Sequence, residues 1–491
     1  MIANSVMSSA LSRAAADLLP APLRQSAAED GVPGAVITGV GLVTPVGVGQ
    51  KEFYAALRSG RGALRRDAAL GQLLPKKAAP EFPPFAARIA DFGAAAAIDA
   101  GRRRRMPRLA QMCVVAAQEA LGIGHAGAAG AAGAAGAAAA APAAAPTAAA
   151  GASPGASAAL ASAFSRYGHD RVAIVLGTGL GTLDLTLEFE TGYIKGGLAA
   201  ASPALFPYTV MNTAAAIVAM ELQLQGGNIT VNHRDLSVHE AVATAVDLLL
   251  CDRADAVLCG GCDELSGYLQ HAAERLGGIA QSGAPGADEL PPMRPYDRRR
   301  RGFAQGEGAV MLLLERPRDA ARHGVRPLAA ISGVGRAGDQ RPRLGWPAPG
   351  DPAQTAGAAQ AIKACLQAAG LAPQDLDFIV GSGNGTKLDG LETQALRQAL
   401  GAEAERVPIA SVLGQCGEWQ TSAGLRLAAA LYALQEQMLP GTLLCREPDP
   451  DAALPGLILQ PQPAVAPLRH VLVPALAQGG ANAALVLSRA S

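Results

Sequence analysis

The sequence has no excess of charge of either sign, few cysteines and no long apolar run. Lys and Arg together number 41, and Asp and Glu also number 41, so the 491-residue chain has a formal net charge of zero. A chain without a basic field has no long-range attraction for nucleic acid or for an anionic membrane surface. We therefore expect neither as a partner.

The cysteine pattern and the lack of a membrane-spanning segment favour a cytoplasmic protein. The seven cysteines are odd in number and scattered through apolar contexts, which is typical of reduced thiols rather than of a disulfide framework. The Ala-rich stretch near 130–150 is broken by Gly and Pro, so it does not resemble a membrane span. Arg13 and Asp17 lie where a signal peptide would need an unbroken apolar centre. We expect no exported or membrane-spanning segment.

What the sequence does contain is an alternation of strand and helix patterns from Val36 onward. Half of the residues are hydrophobic, enough to bury a large core. Apolar runs such as GAVMLLLE are typical of strands buried on both faces. A helix is predicted over about 106–121, and the second half repeats the order and contains a long helix to about Leu439. These patterns predict an α/β fold with two similar halves.

The composition divides the chain into three segments. Residues 1–34 are predicted to be a flexible N-terminal extension. The first half is assigned to 35–325 and the second half to 326–491. Within the first half, residues from about 122 to 157 are almost wholly Ala, Gly and Pro, which provide too little bulky apolar surface to offset the entropy of ordering. We predict a disordered insertion there.

Many sequence blocks, in order, resemble the β-ketoacyl-acyl-carrier-protein synthases of the thiolase superfamily. The resemblance covers about 36–488 apart from the insertion, and includes VITGVGLVTPVG, RRMPRLAQMCVVAAQEAL and FPYTVMNTAAAIVAMELQLQGGNITV. The most specific block is RPYDRRRRGFAQGEGAVMLLLE, which combines an Arg-Pro-aromatic-Asp element with Gly-Glu-Gly-Ala. The resemblance implies a thiolase-like five-layered α-β-α-β-α fold made from two duplicated halves, with active sites beside a dimer interface.

The resemblance also identifies the position of the family's nucleophile. In that family a cysteine in a strand-to-helix turn accepts the acyl chain, and the helix N-terminus lowers the pKa of its thiol. Here the ungapped match puts Asp235 at that position, and a carboxylate cannot hold a transferable thioester. Because Asp235 lies at a helix N-terminus beside Arg234, we expect it to stay ionised and to act as a structural cap.

The remaining family site positions are changed as well. Two family histidines donate hydrogen bonds to the developing enolate of the malonyl extender, and the resemblance places Asn384 and Glu418 there. Leu413 takes the place of a lysine, and Gln478 that of the gate phenylalanine. Asn384 can donate a hydrogen bond, whereas an ionised Glu418 can only accept, and with Asp235 it adds charge of the wrong sign for an oxyanion. We therefore expect no catalytic residue, no metal and no resident cofactor.

Three functions are compatible with a preserved scaffold and an altered site. The leading hypothesis is a non-catalytic chain-length factor that forms a heterodimer with an active β-ketoacyl-acyl-carrier-protein synthase. It would serve type II polyketide, aryl polyene or specialised fatty acid biosynthesis, with phosphopantetheine arriving only on the acyl carrier protein. The alternative is altered chemistry, a malonyl-carrier-protein decarboxylase or acyltransferase using Asp235 and Glu418, with His233 or His239. A third is a protein that binds acyl chains or carrier protein without a ketosynthase partner.

The segment before the nucleophile turn contains the candidates for setting acyl-chain length. In dimers of the resembled family this segment crosses the interface and touches the partner's acyl tunnel. Here it includes Leu205, Phe206 and Tyr208, which we take as tunnel candidates. For each of them singly, packing into this subunit's own core is an equally good interpretation.

Several other motifs have ordinary structural interpretations. Cys259 and Cys262 have CxxC spacing but end a buried strand and lack a second ligand pair, so a metal site is not expected. The arginine runs 102–105 and 298–301 are candidates to meet an acidic carrier protein, although solvation or internal ion pairing is commoner. The glycines of 177–181 lack the spacing of a nucleotide-binding loop and predict a tight turn under the site.

Overall fold

The computed structural model describes residues 34–72, 82–90, 92, 100–123, 166–279, 290–341 and 346–490. The predicted N-terminal extension and the predicted Ala-rich insertion lie outside these residues, apart from their boundary positions. Both therefore stay predictions.

The strands are β1 (Ala35–Thr44), β2 (Gly47–Val48), β3 (Arg65–Arg66), β4 (Phe85–Ala87), β5 (Val172–Gly177), β6 (Asn228–Val231), β7 (Ala256–Asp263), β8 (Gln305–Gly306), β9 (Gly308–Glu315), β10 (Ala329–Gly338), β11 (Phe378–Val380), β12 (Ile409–Ala410), β13 (Met438–Leu439), β14 (Gln462–Pro463), β15 (His470–Leu476) and β16 (Ala481–Ser488). The helices are α1 (Gln50–Ser59), α2 (Ala68–Gln72), α3 (Ala100–Arg103), α4 (Arg108–Ala120), α5 (Leu183–Gly196), α6 (Thr213–Leu222), α7 (Ser237–Leu250), α8 (Gly267–Arg275), α9 (Pro317–Arg322), α10 (Ala356–Ala368), α11 (Leu388–Leu400), α12 (Leu413–Cys416) and α13 (Ala423–Glu436).

The main sheet has eleven strands and consists of two halves with the same internal order. Its order is β12-β11-β15-β16-β10-β1-β9-β7-β5-β6, with β2 beside β1. In each half the outermost three strands pair in parallel, and the next two join antiparallel. The halves meet where β1 and β10 pair antiparallel. The predicted duplication of an α/β unit is therefore confirmed.

Helices cover the two halves of the sheet in layers. Helix α7 packs on β5 and β7, helix α13 packs on β15, and the two helices contact each other between the halves. On the outer faces, α4 lies against β1 and β9, and α10 lies against β10 and β16. This arrangement is the expected five-layered α-β-α-β-α fold, with α7 and α13 in its central layer.

The two halves use the same glycine packing between the first strand and the outer helix. A Cβ atom added at Gly41 in β1 would lie 1.8 Å from the carbonyl oxygen of Ala116 in α4. The equivalent atom at Gly335 in β10 would lie 1.9 Å from the carbonyl oxygen of Ala361 in α10. Only glycine allows such close contact of strand and helix backbones, so this feature is required by the fold in both halves.

Two predicted helix bounds differ from the structure. The helix predicted over about 106–121 is α4, which begins directly after Pro107 and ends at Ala120. The helix predicted to reach about Leu439 ends at Glu436, because Gln437 takes a left-handed conformation with φ 55° and the next two residues form strand β13. That helix also begins only at Ala423, so the preceding residues lie in a loop.

Candidate functional site

The turn that contains Asp235 connects strand β6 to the central helix α7. Residues Arg234–Leu236 form a single 3-10 turn, and Arg234 has φ 51°, a strained conformation for a residue with a side chain. Ser237 stabilises the turn, since its hydroxyl accepts from the His233 amide at 2.9 Å and donates to the Arg234 carbonyl at 2.7 Å. The result is a sharp bend that holds residue 235 at the start of the helix.

Asp235 does not cap helix α7, contrary to the prediction. The residue at the N-cap position is Leu236, and no side chain makes a capping hydrogen bond there. The carboxyl group of Asp235 instead interacts with its own backbone amide and is largely desolvated, and burial raises its pKa to about 6. The carboxyl group therefore loses its proton at a pH about two units higher than a surface aspartate does.

Glu418 lies in the loop before the other central helix, α13, which begins at Ala423. Gly417 has φ 73°, and the Glu418 backbone pairs with β8: its amide donates to the Ala304 carbonyl, and its carbonyl accepts from the Gly306 amide, both at 2.9 Å. Pairing with β8 keeps this loop out of the helix. The negative charge of Asp235 acts on Glu418, so the two carboxyl groups lie near each other.

Asn384 joins Glu418 in one hydrogen-bonded unit. The Asn384 Nδ2 donates to Glu418 Oε2 at 2.6 Å, while Asn384 Oδ1 accepts from the amide and the hydroxyl of Thr386 at 3.0 and 2.6 Å. The Asn384 backbone amide donates to Asp389 at 2.8 Å. Asn384 is thus held in one orientation, with one side-chain N–H committed to Glu418.

The burial of Glu418 gives it electrostatics unlike those of a surface carboxylate. Burial, together with the negative charge of Asp235, raises the pKa of Glu418 well above its usual range. This shift favours the protonated form, which donates a hydrogen bond as well as accepting one. The acceptor-only Glu418 therefore stays a prediction, and the direction of the pKa shift opposes it.

Leu413 and Gln478 flank this group. Leu413 is buried in α12, and its amide donates at 3.3 Å to Ser411, whose hydroxyl donates at 2.6 Å to the Gly383 carbonyl beside Asn384. Gln478 lies in the turn between β15 and β16. The neighbouring Ala477 packs in a cluster with Leu236, so this turn adjoins residue 235. The structure thus brings Asp235, Asn384 and Glu418 together and places Leu413 and Gln478 beside them.

Two buried charged residues next to this group were not predicted from the sequence. Asp263 accepts from Gly179 at 2.7 Å and from the Thr421 amide and hydroxyl at 2.9 and 2.8 Å. Arg426 is 3% exposed, on a helix whose neighbouring side chains are almost all apolar. An arginine inside the apolar run AGLRLAAALYAL is a sequence signal that would have identified it.

The histidines named in the alternative hypothesis do not join the Asp235 and Glu418 carboxyl groups. His233 is exposed. His239 is buried on α7, where desolvation and the charge of Arg426 lower its pKa to about 3, so the ring is neutral near pH 7. Its Nε2 contacts the Val473 carbonyl at 3.0 Å, and its Nδ1 has no partner among the described atoms. His239 is therefore no acid at neutral pH.

The three tunnel candidates have different environments. Leu205 is half-buried, and Phe206 is 58% exposed and contacts Phe189, with ring centroids 5.8 Å apart. Tyr208 packs against this subunit's own core, and its hydroxyl donates to the Arg105 carbonyl at 3.1 Å. Phe206 is thus available to a neighbouring protein, whereas the core interpretation describes Tyr208 better.

An apolar surface lies next to these residues, and we name it the edge face. Helix α5 has no buried residue, and its side chains Ile194 and the nearby Leu198 are 79% and 85% exposed. The edge face consists of Tyr193, Ile194, Leu198, Phe206, Val210, Met211 and Met220. Met220 of this face lies on α6, which contacts β6, the strand at this end of the sheet. Helix α5 contacts the turns at 197–200 and 206–208, so part of this face is continuous. Exposed apolar side chains that adjoin one another are characteristic of a protein interface.

The motifs with ordinary structural interpretations are buried, ion-paired or part of a turn. Cys259 and Cys262 are buried with raised thiol pKa values, and no group of three possible metal ligands occurs in the described part of the chain. Arg102 pairs with Glu221 at 2.6 Å, and Arg300 pairs with Asp449 at 2.5 Å. Residues 177–181 form the turn that donates to Asp263. Among the described helices, none is long and apolar enough to span a membrane.

Comparison with known proteins identifies consistent relatives. Residues 156–320 match the family described as Beta-ketoacyl synthase, N-terminal domain, and residues 328–446 match its C-terminal domain. Nodulation protein E of Rhizobium meliloti is 32% identical over 324 residues, covering 65% of this chain and 76% of the relative. The 3-oxoacyl-[acyl-carrier-protein] synthase 2 of Synechocystis is 26% identical over 424 residues, covering 85% and 89%.

A solved structure, that of the ishigamide ketosynthase/chain length factor, has the same fold. It superimposes with a TM-score of 0.72 over 93% of this chain and 99% of the other, at 23% sequence identity. At that identity the likeness concerns the fold.

Proposed function

The chain belongs to the β-ketoacyl synthase family, and on that premise we propose that it is a non-catalytic chain-length factor. In this proposal it forms a heterodimer with an active β-ketoacyl-acyl-carrier-protein synthase in the cytoplasm, for iterative extension of a polyketide, an aryl polyene or a specialised fatty acid. The observation that carries the proposal is Asp235 in the strained turn at the start of α7, where the family has its cysteine. A carboxylate there cannot form the acyl thioester that elongation requires.

The edge face supports a partner of the same fold. Its exposed side chains adjoin β6, whose outer edge is not paired by any described strand of this chain. A partner that packs there would cover the apolar residues and bring Phe206 to the boundary between the subunits. In this proposal Phe206 and Leu205 reach toward the partner's acyl tunnel and limit its depth, while Tyr208 supports them from within.

A basic surface supports an acyl carrier protein as the second partner. The charges of Arg299, Arg301 and Arg446 act on Arg294, and Arg298 lies in the same exposed run. Only Arg299 in this group has a described ion pair, with Glu447 at 2.5 Å. Four further arginines on one surface suit an acidic protein, which would bring phosphopantetheine to the complex. The proposal includes no metal and no other cofactor.

The experiment that tests the proposal is co-expression with each ketosynthase encoded nearby. We expect a stable 1:1 complex in which consumption of malonyl-carrier protein depends on the partner's cysteine and survives Asp235→Ala here. Asp235→Cys should not give this chain elongation activity, because Asn384, Leu413 and Glu418 still differ from the family's catalytic set. Elongation by that variant alone, or failure to bind any ketosynthase, would refute the proposal.

A second candidate function, malonyl-carrier-protein decarboxylation, is favoured by the raised pKa of Glu418, because the shift favours the protonated form. A protonated Glu418 beside Asn384 would place two hydrogen-bond donors at one position, and donors are what a developing enolate requires. The test is release of CO₂ from malonyl-carrier protein by this chain alone. If activity is present, Glu418→Gln should retain it and Glu418→Leu should remove it. No release of CO₂ eliminates this candidate.

A further inference from the structure

Arg341 is a buried arginine beside the turn that connects strands β15 and β16. Its side chain is fully buried, and its Nη1 pairs with the nearly buried Asp339 at 3.2 Å. Its Nη2 donates to the carbonyls of Ala477 and Ala481, both at 3.3 Å, and to the side-chain oxygen of Asn482. Because the guanidinium group is planar and rigid, one side chain fixes both ends of the turn at once.

Asp339 gives this arginine a rigid base. Its carboxylate accepts from the Gly357 and Ala358 amides at the start of α10, at 2.5 and 3.2 Å, and from Nδ2 of Asn482 at 2.8 Å. A carboxylate at a helix N-terminus is favourable, and no capping residue of the helix itself makes these hydrogen bonds. The backbone amide of Asp339 donates to the Gly480 carbonyl at 2.7 Å. Asp339 is therefore held by a helix, by strand β16 and by the turn.

The turn lies directly against the residue that follows β10. Gly480 has φ 94°, and a Cβ atom added there would lie 1.8 Å from the carbonyl oxygen of Asp339. Within the turn, the Ala477 amide donates to the Ala481 carbonyl at 2.9 Å, and the Gly480 amide donates to the Ala477 carbonyl at 3.2 Å. Arg341 donates to the same two carbonyls, so it strengthens the hydrogen bonding that closes the turn.

The same turn adjoins the 3-10 turn that contains Asp235. Residues 234–236 contact both β15 and β16. Leu236 is buried in a cluster with Ala477 and Ala483, which lie on either side of the β15–β16 turn. Since Leu236 directly follows Asp235, a movement of the β15–β16 turn would remove part of the packing around residue 235.

We propose that Arg341 is a clasp that holds the β15–β16 turn in one position and so keeps the Asp235 site closed to small molecules from solution. The clasp acts through three acceptors on the turn and on β16, and Asp339 compensates its charge. Arg341 is thus a positioning residue, since it acts on residue 235 through the turn. This inference rests on the contacts of Arg341 and is independent of the proposed function.

The experiment measures access to residue 235 in the full chain. Asp235→Cys introduces a thiol probe, and Cys251→Ser removes the exposed cysteine, since the other six cysteines are buried. Alkylation by iodoacetamide is followed by peptide mass spectrometry. We expect slow alkylation at 235 with Arg341 present. Arg341→Lys or Arg341→Met should accelerate it at least about tenfold, the effect of losing one hydrogen bond to a charged group.

The pH dependence of alkylation separates access from reactivity. Only the thiolate reacts, so a change in the thiol pKa moves the pH at which the rate is half-maximal, whereas a change in access moves the maximal rate. We expect the Arg341 variants to raise the maximal rate. A shift of the midpoint alone would contradict the clasp.

The matched control is Arg316→Lys. Arg316 is also mostly buried and ion-paired, but its partners are Asp255, which precedes β7, and Asp319 on α9. The change should lower stability and leave alkylation at 235 unchanged. Equal acceleration by the Arg316 and Arg341 variants would show a general loss of stability and would overturn the proposal.

Amide hydrogen exchange provides a second measurement without the thiol probe. In Arg341→Lys, the amides of Ala477 and Gly480 should exchange at least about tenfold faster than in the wild type, and those of strands β5 and β7 should not change. If Arg341→Met does not fold, Arg341→Lys and Asn482→Ala still test the clasp. Unchanged alkylation and exchange in these variants would refute it, and so would rapid alkylation at 235 with Arg341 intact.

Discussion

The two ends of the sheet are equivalent by internal duplication, yet within the described residues only one of them is covered by a further segment of the chain. Strands β6 and β12 occupy the same place in their halves, each parallel to its neighbour. At the β12 end, Ile409 donates to the Gly456 carbonyl at 3.0 Å and accepts from the Ile458 amide at 2.8 Å. At the β6 end, the described structure has the edge face in place of such a segment.

The difference teaches that a segment of the second half covers β12, whereas no described strand of the chain pairs with the outer edge of β6. An unpaired strand edge flanked by apolar residues is costly in isolation and favourable in a complex. The duplication also explains where the site lies. Strand β6 leads through the turn of Asp235 to α7, and β12 leads through α12 and the loop of Glu418 to α13. The site is thus assembled from the corresponding strand-to-helix connections of both halves.

The largest expected effect concerns the glycine packing that the cores of the two halves share. Gly41→Ala and Gly335→Ala each force a Cβ to within 1.8 or 1.9 Å of a helix carbonyl oxygen. Each should lower the free energy of unfolding by about 3 kcal/mol or more, or prevent folding. Gly338→Ala is the control, since its Cβ would meet nothing within 4 Å. Denaturant unfolding provides the measurement, and tolerance in one half alone would show that the packing is not shared.

The next prediction sharpens the contrast between the two ends. Ile194→Asp on the edge face should weaken the complex with the ketosynthase partner by about 2–4 kcal/mol, because it buries a carboxylate in an apolar interface. The isolated chain should change by less than about 0.5 kcal/mol, since Ile194 is 79% exposed. Val465→Asp, at a fully exposed residue away from the edge face, should leave the Kd unchanged. Equal Kd values for both variants would place the interface elsewhere.

A third prediction concerns the carboxyl pair at the junction of the halves. The pKa of Asp235 is raised from 3.8 to about 6, so its ionised form opposes folding above that pH. Asp235→Asn should therefore raise the free energy of unfolding at pH 8 by about 1–3 kcal/mol, and the gain should vanish near pH 4. Thermal unfolding across this pH range measures it. A loss of stability at pH 8 would mean that the Asp235 charge is needed by Arg426 more than burial disfavours it.

The smallest effect separates the tunnel candidates. Tyr208→Phe removes one partly exposed hydrogen bond to the Arg105 carbonyl, so stability should fall by about 0.5–1 kcal/mol with the product length of the complex unchanged. Phe206→Ala should barely alter the stability of the isolated chain but should change product length. Mass spectrometry of the products checks both. The opposite assignment would show that Tyr208, and not Phe206, faces the acyl chain.

Much of the fold was predictable because local sequence patterns indicate its strands and helices. The apolar run GAVMLLLE predicted β9, and the helix pattern over about 106–121 predicted α4. The halves even begin with similar strings, ITGVG and ISGVG, whose glycines make the same contact with helix backbone. The first residue of α13 was not predictable, because the tertiary pairing of Glu418 with β8 keeps the preceding residues out of the helix.

The positions of the site residues were predictable from the sequence, whereas their pKa values were not. Asp235, Asn384 and Glu418 were each named from the family match, and the structure places them together. The raised pKa of Glu418 was not predictable, because a pKa depends on burial and on charges from distant segments. Arg426 could have been identified from the apolar run around it, but its effect on the charges of Asp235 and Glu418 is apparent only in the packed structure.

The sequence by itself determined the α/β duplication, the family resemblance and the substitution of Asp for the acyl-accepting cysteine, since each depends on local pattern or residue identity. Only the tertiary structure decided which end of the sheet has no paired neighbour among the described residues, that burial raises the pKa of Asp235 and of Glu418, and that Phe206 is exposed while Tyr208 is held. These properties arise from contacts between residues far apart in the chain, and no local pattern encodes the solvation and the fields that such contacts create.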